Sequence, residues 1–454
     1  MTRLNAACFA AVLFFMPAFQ GAAETASSGT EEASLRETIN YGTDNEITEL
    51  IKKLRSDNID YLDGDLIKLA EKTKNQNIIL GIFSFFGERS VKGLEDTALA
   101  IVSDRDSETT QKVIAALDYL GTVKEKRAFP ALTEIISSGD ARYDSAAVKA
   151  LGKIVDSEMS SADTDGITEI LIDYYNNVTS GGNNREAVIA AVGSSGGDAA
   201  AAFILQIIND DEQSVTLRMA ALEAAGKLKD SDVLDSIIAA ASSADPNVRY
   251  AAVGALGSFD NNYASAVILE SFRDSYFRTR LAAVRSAKTR RLEAAVPYLR
   301  YRAERDESAV VKEEAVLALG AIGGKDADTA LAALMDDTKN GDALRSLCAE
   351  MLIKNDANAY AEKIIAKLDE ASVKKQTALY KGLLKALSFA RTRKVENFTA
   401  RLFASKDVTE KFYALDMTAN NGFTAFKDNV EALSKEKNLS LSSRAKRTLE
   451  KLGG

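Results

Sequence analysis

Histidine and tryptophan are missing from all 454 residues, and only 4 prolines and 2 cysteines occur. Without imidazole there can be no Ser-His-Asp or Cys-His relay, no His-ligated zinc, and no switch through a side chain that titrates near neutral pH. The cysteines, Cys8 and Cys348, form neither a CxxC redox pair nor a four-thiol metal site, and Cys348 lies between Leu347 and Ala349 as a small core residue would. Removal of an N-terminal segment carrying Cys8 would leave no intrachain disulfide. The segment Gly320-Ala-Ile-Gly-Gly-Lys325 lacks the spacing and the Ser/Thr of a phosphate-binding loop. Acid pairs such as Asp104 with Asp106 and Asp336 with Asp337 sit at turns, where carboxylates cap helices without a metal. No catalytic, cofactor-binding or metal-binding residue is therefore assigned. A net charge of −9 argues against a dedicated nucleic-acid binder.

What remains is a helix former. Scarce proline beside abundant Ala, Leu, Lys and Glu favours long uninterrupted helices, and aromatics at 7% suit close helix packing better than a β-sandwich. Residues 1–23 carry Arg3, an apolar run from Ala6 to Phe19, and small residues Gly21 and Ala23 before Glu24. This is the pattern of a Sec-type signal peptide, with a retained anchor as the alternative, and it points to the periplasm. No later apolar run has membrane length, so the mature chain should not span a bilayer, although association with the envelope stays open. Residues 24–45, rich in Ser, Thr, Glu and Gly, read as a flexible linker.

Residues 46–454 repeat one motif. Asp245-Pro-Asn-Val-Arg-Tyr-Ala-Ala-Val-Gly-Ala-Leu-Gly257 has counterparts ending at Gly121, Gly152, Gly193, Gly226 and Gly320. The closing position runs through Gly87, Gly121, Gly152, Gly193, Gly226, Gly257, Lys288, Gly320, Lys354, Ser388, Gly422 and Gly453. Ten of the eleven intervals are 31 to 34 residues; the other, from Gly152 to Gly193, is 41 and contains an insertion. Each unit holds two amphipathic helical patterns, and Pro246 fits the first turn of the second helix. The closing glycine is expected to end that helix in the left-handed conformation. Such hairpins bury their apolar faces only by stacking, so the fold is expected to be all-α, a solenoid of about twelve helical hairpins.

The pattern carried by Asp245, Val248, Arg249, Ala252, Ala255, Leu256 and Gly257 resembles the HEAT-repeat family, in particular the short bacterial repeats of phycobilisome-lyase-like proteins. The resemblance implies a scaffold or adaptor that binds protein partners through an extended helical surface, without catalysis. It also implies that cations eight residues before the closing position (Arg185, Arg218, Arg249, Arg280 and Lys312) pair with an acid of the preceding turn, Asp245 in the case of Arg249. The alternative is a lyase-like or accessory subunit of an envelope enzyme or structural complex.

The strongest local departure from the acidic average lies at 278–305. Arg278, Arg285, Lys288, Arg290, Arg291, Arg300 and Arg302, with Tyr298 and Tyr301, form a candidate docking patch for an acidic protein partner, or for an anionic envelope polymer or lipid headgroup, because guanidinium groups beside aromatic rings suit carboxylates and phosphates. The competing reading is a solvated ridge paired with neighbouring acids. Tyr250 and Arg285, at exposed second-helix positions, are further partner-binding candidates.

Overall fold

The computed structural model describes residues 23–155, 161–177 and 184–453, with side chains from residue 32 in the first helix and from 164 in helix Ser161–Asn177. The expected signal peptide falls almost wholly outside the described residues, as do 156–160 and 178–183 of the insertion. Among the described residues there are 25 α-helices and no strand. They fall into two compact units, 1–155 and 156–454, each a stack of antiparallel helix pairs.

In the first unit the second helices of successive pairs, Asp44–Asp57, Gln76–Glu88, Thr110–Thr122 and Asp144–Ile154, pack side by side. In the second unit the same layer runs through Asn184–Ser195, Val215–Leu228, Pro246–Leu256, Phe277–Thr289 and Ala309–Ile322, and closes with Thr377–Ser388, Val408–Asn421 and Leu439–Lys451. First helices such as Asn262–Ser271 and Val296–Arg305 make the other layer. Helix Asp342–Val373 serves both layers: its backbone breaks at Asp356 (φ −150°, ψ 85°), whose carboxylate accepts from Ala359 N at 2.9 Å and so caps the following segment. That one-residue corner explains why the apolar register blurs near Lys354.

The stretch expected to be a linker is not one. Helix Ala23–Tyr41 occupies most of it, and Ile39 is buried. Composition hid this, because one apolar residue per turn is enough to seat a helix on its neighbour while the remainder stays polar. The helix pairs with Asp44–Asp57, which begins with a capping box between Thr43 and Glu46, so the helical stack starts one helix earlier than residue 46.

The closing glycines have a different role from the one expected. Gly257 has φ −60° and ψ −18°, ordinary helical values. What excludes a side chain is the next second helix. A Cβ at Gly193 would lie 2.5 Å from Ala224 Cβ, one at Gly121 2.7 Å from Ala150 Cα, and one at Gly257 2.8 Å from Ser286 Oγ. Backbones touch at these crossings. Only toward the C-terminus does the expected left-handed conformation occur, as at Gly422, where φ is +63°.

Two members of the cation ladder, Arg249 and Arg280, form a repeated bidentate pair, with a different partner from the one expected. Arg249 donates from Nε to Asp274 Oδ2 at 2.7 Å and from Nη2 to Oδ1 at 3.0 Å. Its Nη1 donates to the carbonyls of Ser243 and Ala244 at 3.0 and 3.1 Å. Arg280 repeats this with Asp306 at 2.7 and 2.8 Å and with the carbonyls of Asp274 and Ser275 at 3.0 Å. At these two rungs the acid belongs to the following turn, while the preceding turn supplies carbonyls; Arg218 instead pairs as expected with an acid of its preceding turn, Asp211, at 3.0 Å. Asp245 instead caps its own helix, accepting from Asn247 N at 2.7 Å. Burial would raise the Asp306 pKa, but the Arg280 guanidinium, the Ser308 N–H and the charges of Arg280 and Arg302 together hold it below the usual carboxylate value. Asp274 is lowered in the same way by Arg249, Tyr276 N and Arg280.

Candidate partner-binding site

Second helices bury their alanine-rich sides against one another, and from Gly193 to Gly257 they leave outward the positions three and seven residues before the closing position. In the second unit those positions, Glu186, Ala190, Met219, Glu223, Tyr250 and Gly254, together with Arg285, line a groove of about 670 Å³ across four consecutive second helices. Its floor is small, with Ala220, Ala251, Gly257 and Ala282 contributing, so its shape is set by backbone rather than by long side chains. Tyr250 is half-buried in it, and the exposed Arg285 stands at one end opposite Glu186 and Glu223. Of the sequence candidates, this groove unites Tyr250 and Arg285. Its other walls were not singled out from sequence, although their i, i+4 spacing in register with the closing position marks them.

The remaining candidates do not form one patch. Tyr298, Tyr301 and Arg302 lie on first helix Val296–Arg305, where with Phe272, Arg273 and Pro297 they line a separate cleft of about 370 Å³. There Tyr298 packs on Phe272 with ring centroids 5.5 Å apart, and Arg302 stacks over Tyr301 at 5.2 Å. Most cations are already paired: Lys288 with Glu314 at 3.0 Å, Arg300 with Glu304 at 3.0 Å, Arg302 with Asp306 at 3.4 Å. Arg285 is 3.9 Å from Glu314. Arg290 is largely buried, its side chain 9% exposed and its Nη2 3.2 Å from Asp260. Arg278 and Arg291 are exposed, with no ion pair among the described residues, but they stand on a helix start and a helix corner respectively. Adjacency in sequence became separation between layers.

Cys348 is fully buried, and burial pushes its thiol up to about 12, which suits a core residue and not a nucleophile. No group of three or more metal-ligating side chains comes together among the described residues, and none of their helices is long and apolar enough to cross a membrane.

A family model described as spirochaete HEAT repeat protein matches residues 39–448, nearly the whole of this helical stack. The chain belongs to that family. As a spirochaete HEAT repeat protein it is an all-α solenoid. Among solved structures it is similar to the karyopherin Kap121p, at 11% identity over 94% of this chain and 54% of that one, with a TM-score of 0.45. The chain thus spans about half the length of that karyopherin. It is also similar to E. coli YibA, at 15% identity over 62% of this chain and 98% of that one, with a TM-score of 0.36. Human deoxyhypusine hydroxylase aligns at 15% identity over 64% and 96%, with a TM-score of 0.26. No curated protein matches the chain.

Proposed function

We propose that this spirochaete HEAT repeat protein is an exported, non-catalytic scaffold that holds a protein partner on its layer of second helices. The observation that carries this reading is the groove lined by Glu186, Met219, Tyr250, Gly254 and Arg285. A floor of glycine and alanine lets a partner's backbone come close, a half-buried tyrosine offers a large and fairly rigid contact, and opposite charges at the two ends set orientation. The composition agrees, since without histidine the commonest general base is lacking. Export rests on residues 1–23, and the periplasm is the compartment that segment indicates.

The test places a photoreactive amino acid at position 219, 250 or 254 in the protein's own cells. A discrete adduct should form from these positions and not from Tyr263, which is 76% exposed on a first helix. Adducts of equal yield from Tyr263, or none from the groove, would overturn the assignment. Export is checked separately: protein recovered from the envelope fraction should begin at Glu24, and an intact Met1 in a soluble cytoplasmic pool would refute it.

A further inference from the structure

The second-helix layer carries another cleft whose chemistry is distinct from the groove. Arg391, Arg444, Arg447 and Lys451 line about 420 Å³ between the ends of helices Thr377–Ser388, Val408–Asn421 and Leu439–Lys451, with Asp416 as the one acid in the lining. Asp416 is committed to Arg444, which donates from Nε at 2.7 Å. Arg391, Arg447 and Lys451 have no carboxylate partner among the described residues, which leaves three uncompensated cations facing one cavity in a chain of net charge −9. This is the reverse of the run at 278–305, where most cations are paired and the free ones point from different elements.

An adjoining hollow of about 410 Å³ shares Asp416, Arg444 and Arg447 and adds Phe412 and Leu439. Leu439 is 81% exposed. Phe389, 42% exposed, borders the cationic cleft. Exposed apolar side chains, Leu439 and Phe389, therefore lie beside these cations.

We infer that this cleft binds an acidic peptide segment of a protein partner, with carboxylates against Arg391, Arg447 and Lys451 and an apolar side chain against Phe412 and Leu439. The three helices are neighbours at about 8–10 Å each, so the cleft spans roughly 20 Å. An extended chain rises about 3.3 Å per residue, which sets the segment at about six residues. Arginine suits such a ligand because its fork matches a carboxylate bidentately. The site shares no residue with the groove proposed above, so either can fail alone.

The test titrates the purified chain into a fluorescein-labelled peptide of alternating Asp and Glu ending in Leu, read by anisotropy. Wild type should bind, and weaken as salt shortens the screening length to about 8 Å near 0.15 M. The triple variant Arg391→Glu, Arg447→Glu, Lys451→Glu should bind roughly tenfold or more weakly, with unchanged circular dichroism. The control Lys149→Glu, Lys325→Glu, Lys339→Glu removes as many exposed cations elsewhere and should bind like wild type. Leu439→Ser should weaken the Leu-ended peptide and not one ending in Ser. Equal loss in both triples would reduce the effect to bulk charge and overturn the site. So would no binding by wild type, or binding to phosphatidylglycerol vesicles through the same cations while the peptide is ignored.

Discussion

The same substitution should have opposite effects at two glycines of the second unit. At Gly193 an added Cβ would meet Ala224 Cβ at 2.5 Å and Cα at 2.8 Å. Non-bonded carbons rest at about 3.5–4.0 Å, so helices Asn184–Ser195 and Val215–Leu228 must part by roughly 1 Å. Overpacking of this kind costs about 1–3 kcal/mol, and here the obstruction is backbone with no rotamer to yield. Alanine in place of glycine returns about 1 kcal/mol of helix propensity. Gly193→Ala should therefore be net destabilising by up to about 2 kcal/mol. At Gly254, exposed within helix Pro246–Leu256, nothing lies within 4 Å of the new Cβ, so only the propensity acts. Gly254→Ala should stabilise by up to about 1 kcal/mol. Long repeat arrays depart from two-state unfolding, so the order of urea midpoints followed by far-UV circular dichroism is the appropriate reading. Hydrogen exchange across 184–228 should locate the loss in Gly193→Ala. If both variants move the midpoint the same way, or Gly193→Ala matches wild type, glycine is not at the crossing for reasons of space.

Three further outcomes follow from buried groups. Arg280→Ala leaves Asp306, whose side chain has no solvent exposure, without its bidentate partner, and should cost about 3–5 kcal/mol in urea unfolding, whereas Arg273→Ala, a largely exposed pair with Glu270, should cost under about 1 kcal/mol. The folded-state pKa values of Asp274 and Asp306 are lowered, so their contribution is present above the ordinary carboxylate value of about 4 and is lost as pH falls through the lower folded values. Denaturation midpoints should fall over that acid window, and Asp306→Asn should flatten the fall; an unchanged slope would count against the ladder. In a chain beginning at Glu24, Cys348 is the only thiol, and it should resist a thiol-disulfide reagent at pH 8 until denaturant is added. Immediate native labelling would contradict its burial.

The repeat was legible because stacking forces the same residue types back at a fixed interval. Its internal reasons were less so. A glycine at the end of a helix serves either a left-handed cap or a close crossing, and one sequence cannot separate them; Gly257 proved to be the second kind. Asp245 looked like the partner of Arg249 because it lies near in sequence, while Asp274 stands 25 residues away and is brought close only by stacking. The run at 278–305 read as one patch because the sequence is linear, yet a helical hairpin sends its halves to different layers. Tyr250 and Arg285 were legible as a face because both keep the register of the closing position. Arg444, Arg447 and Lys451 are close in sequence, but their convergence with Arg391 depends on an adjacent repeat.

The ladder also has a mechanical side. Asp274 receives Arg249 on its carboxylate and Arg280 on its carbonyl, so the corners at 243–244, 274–275 and 306 are coupled in series through two guanidinium groups. Strain applied at one corner is handed to the next rather than absorbed there. Beyond 306 the link thins to Lys312, with a single contact to the Glu304 carbonyl at 3.2 Å. The hairpins between 243 and 306 should therefore resist bending more than their neighbours, with compliance expected where that series coupling ends.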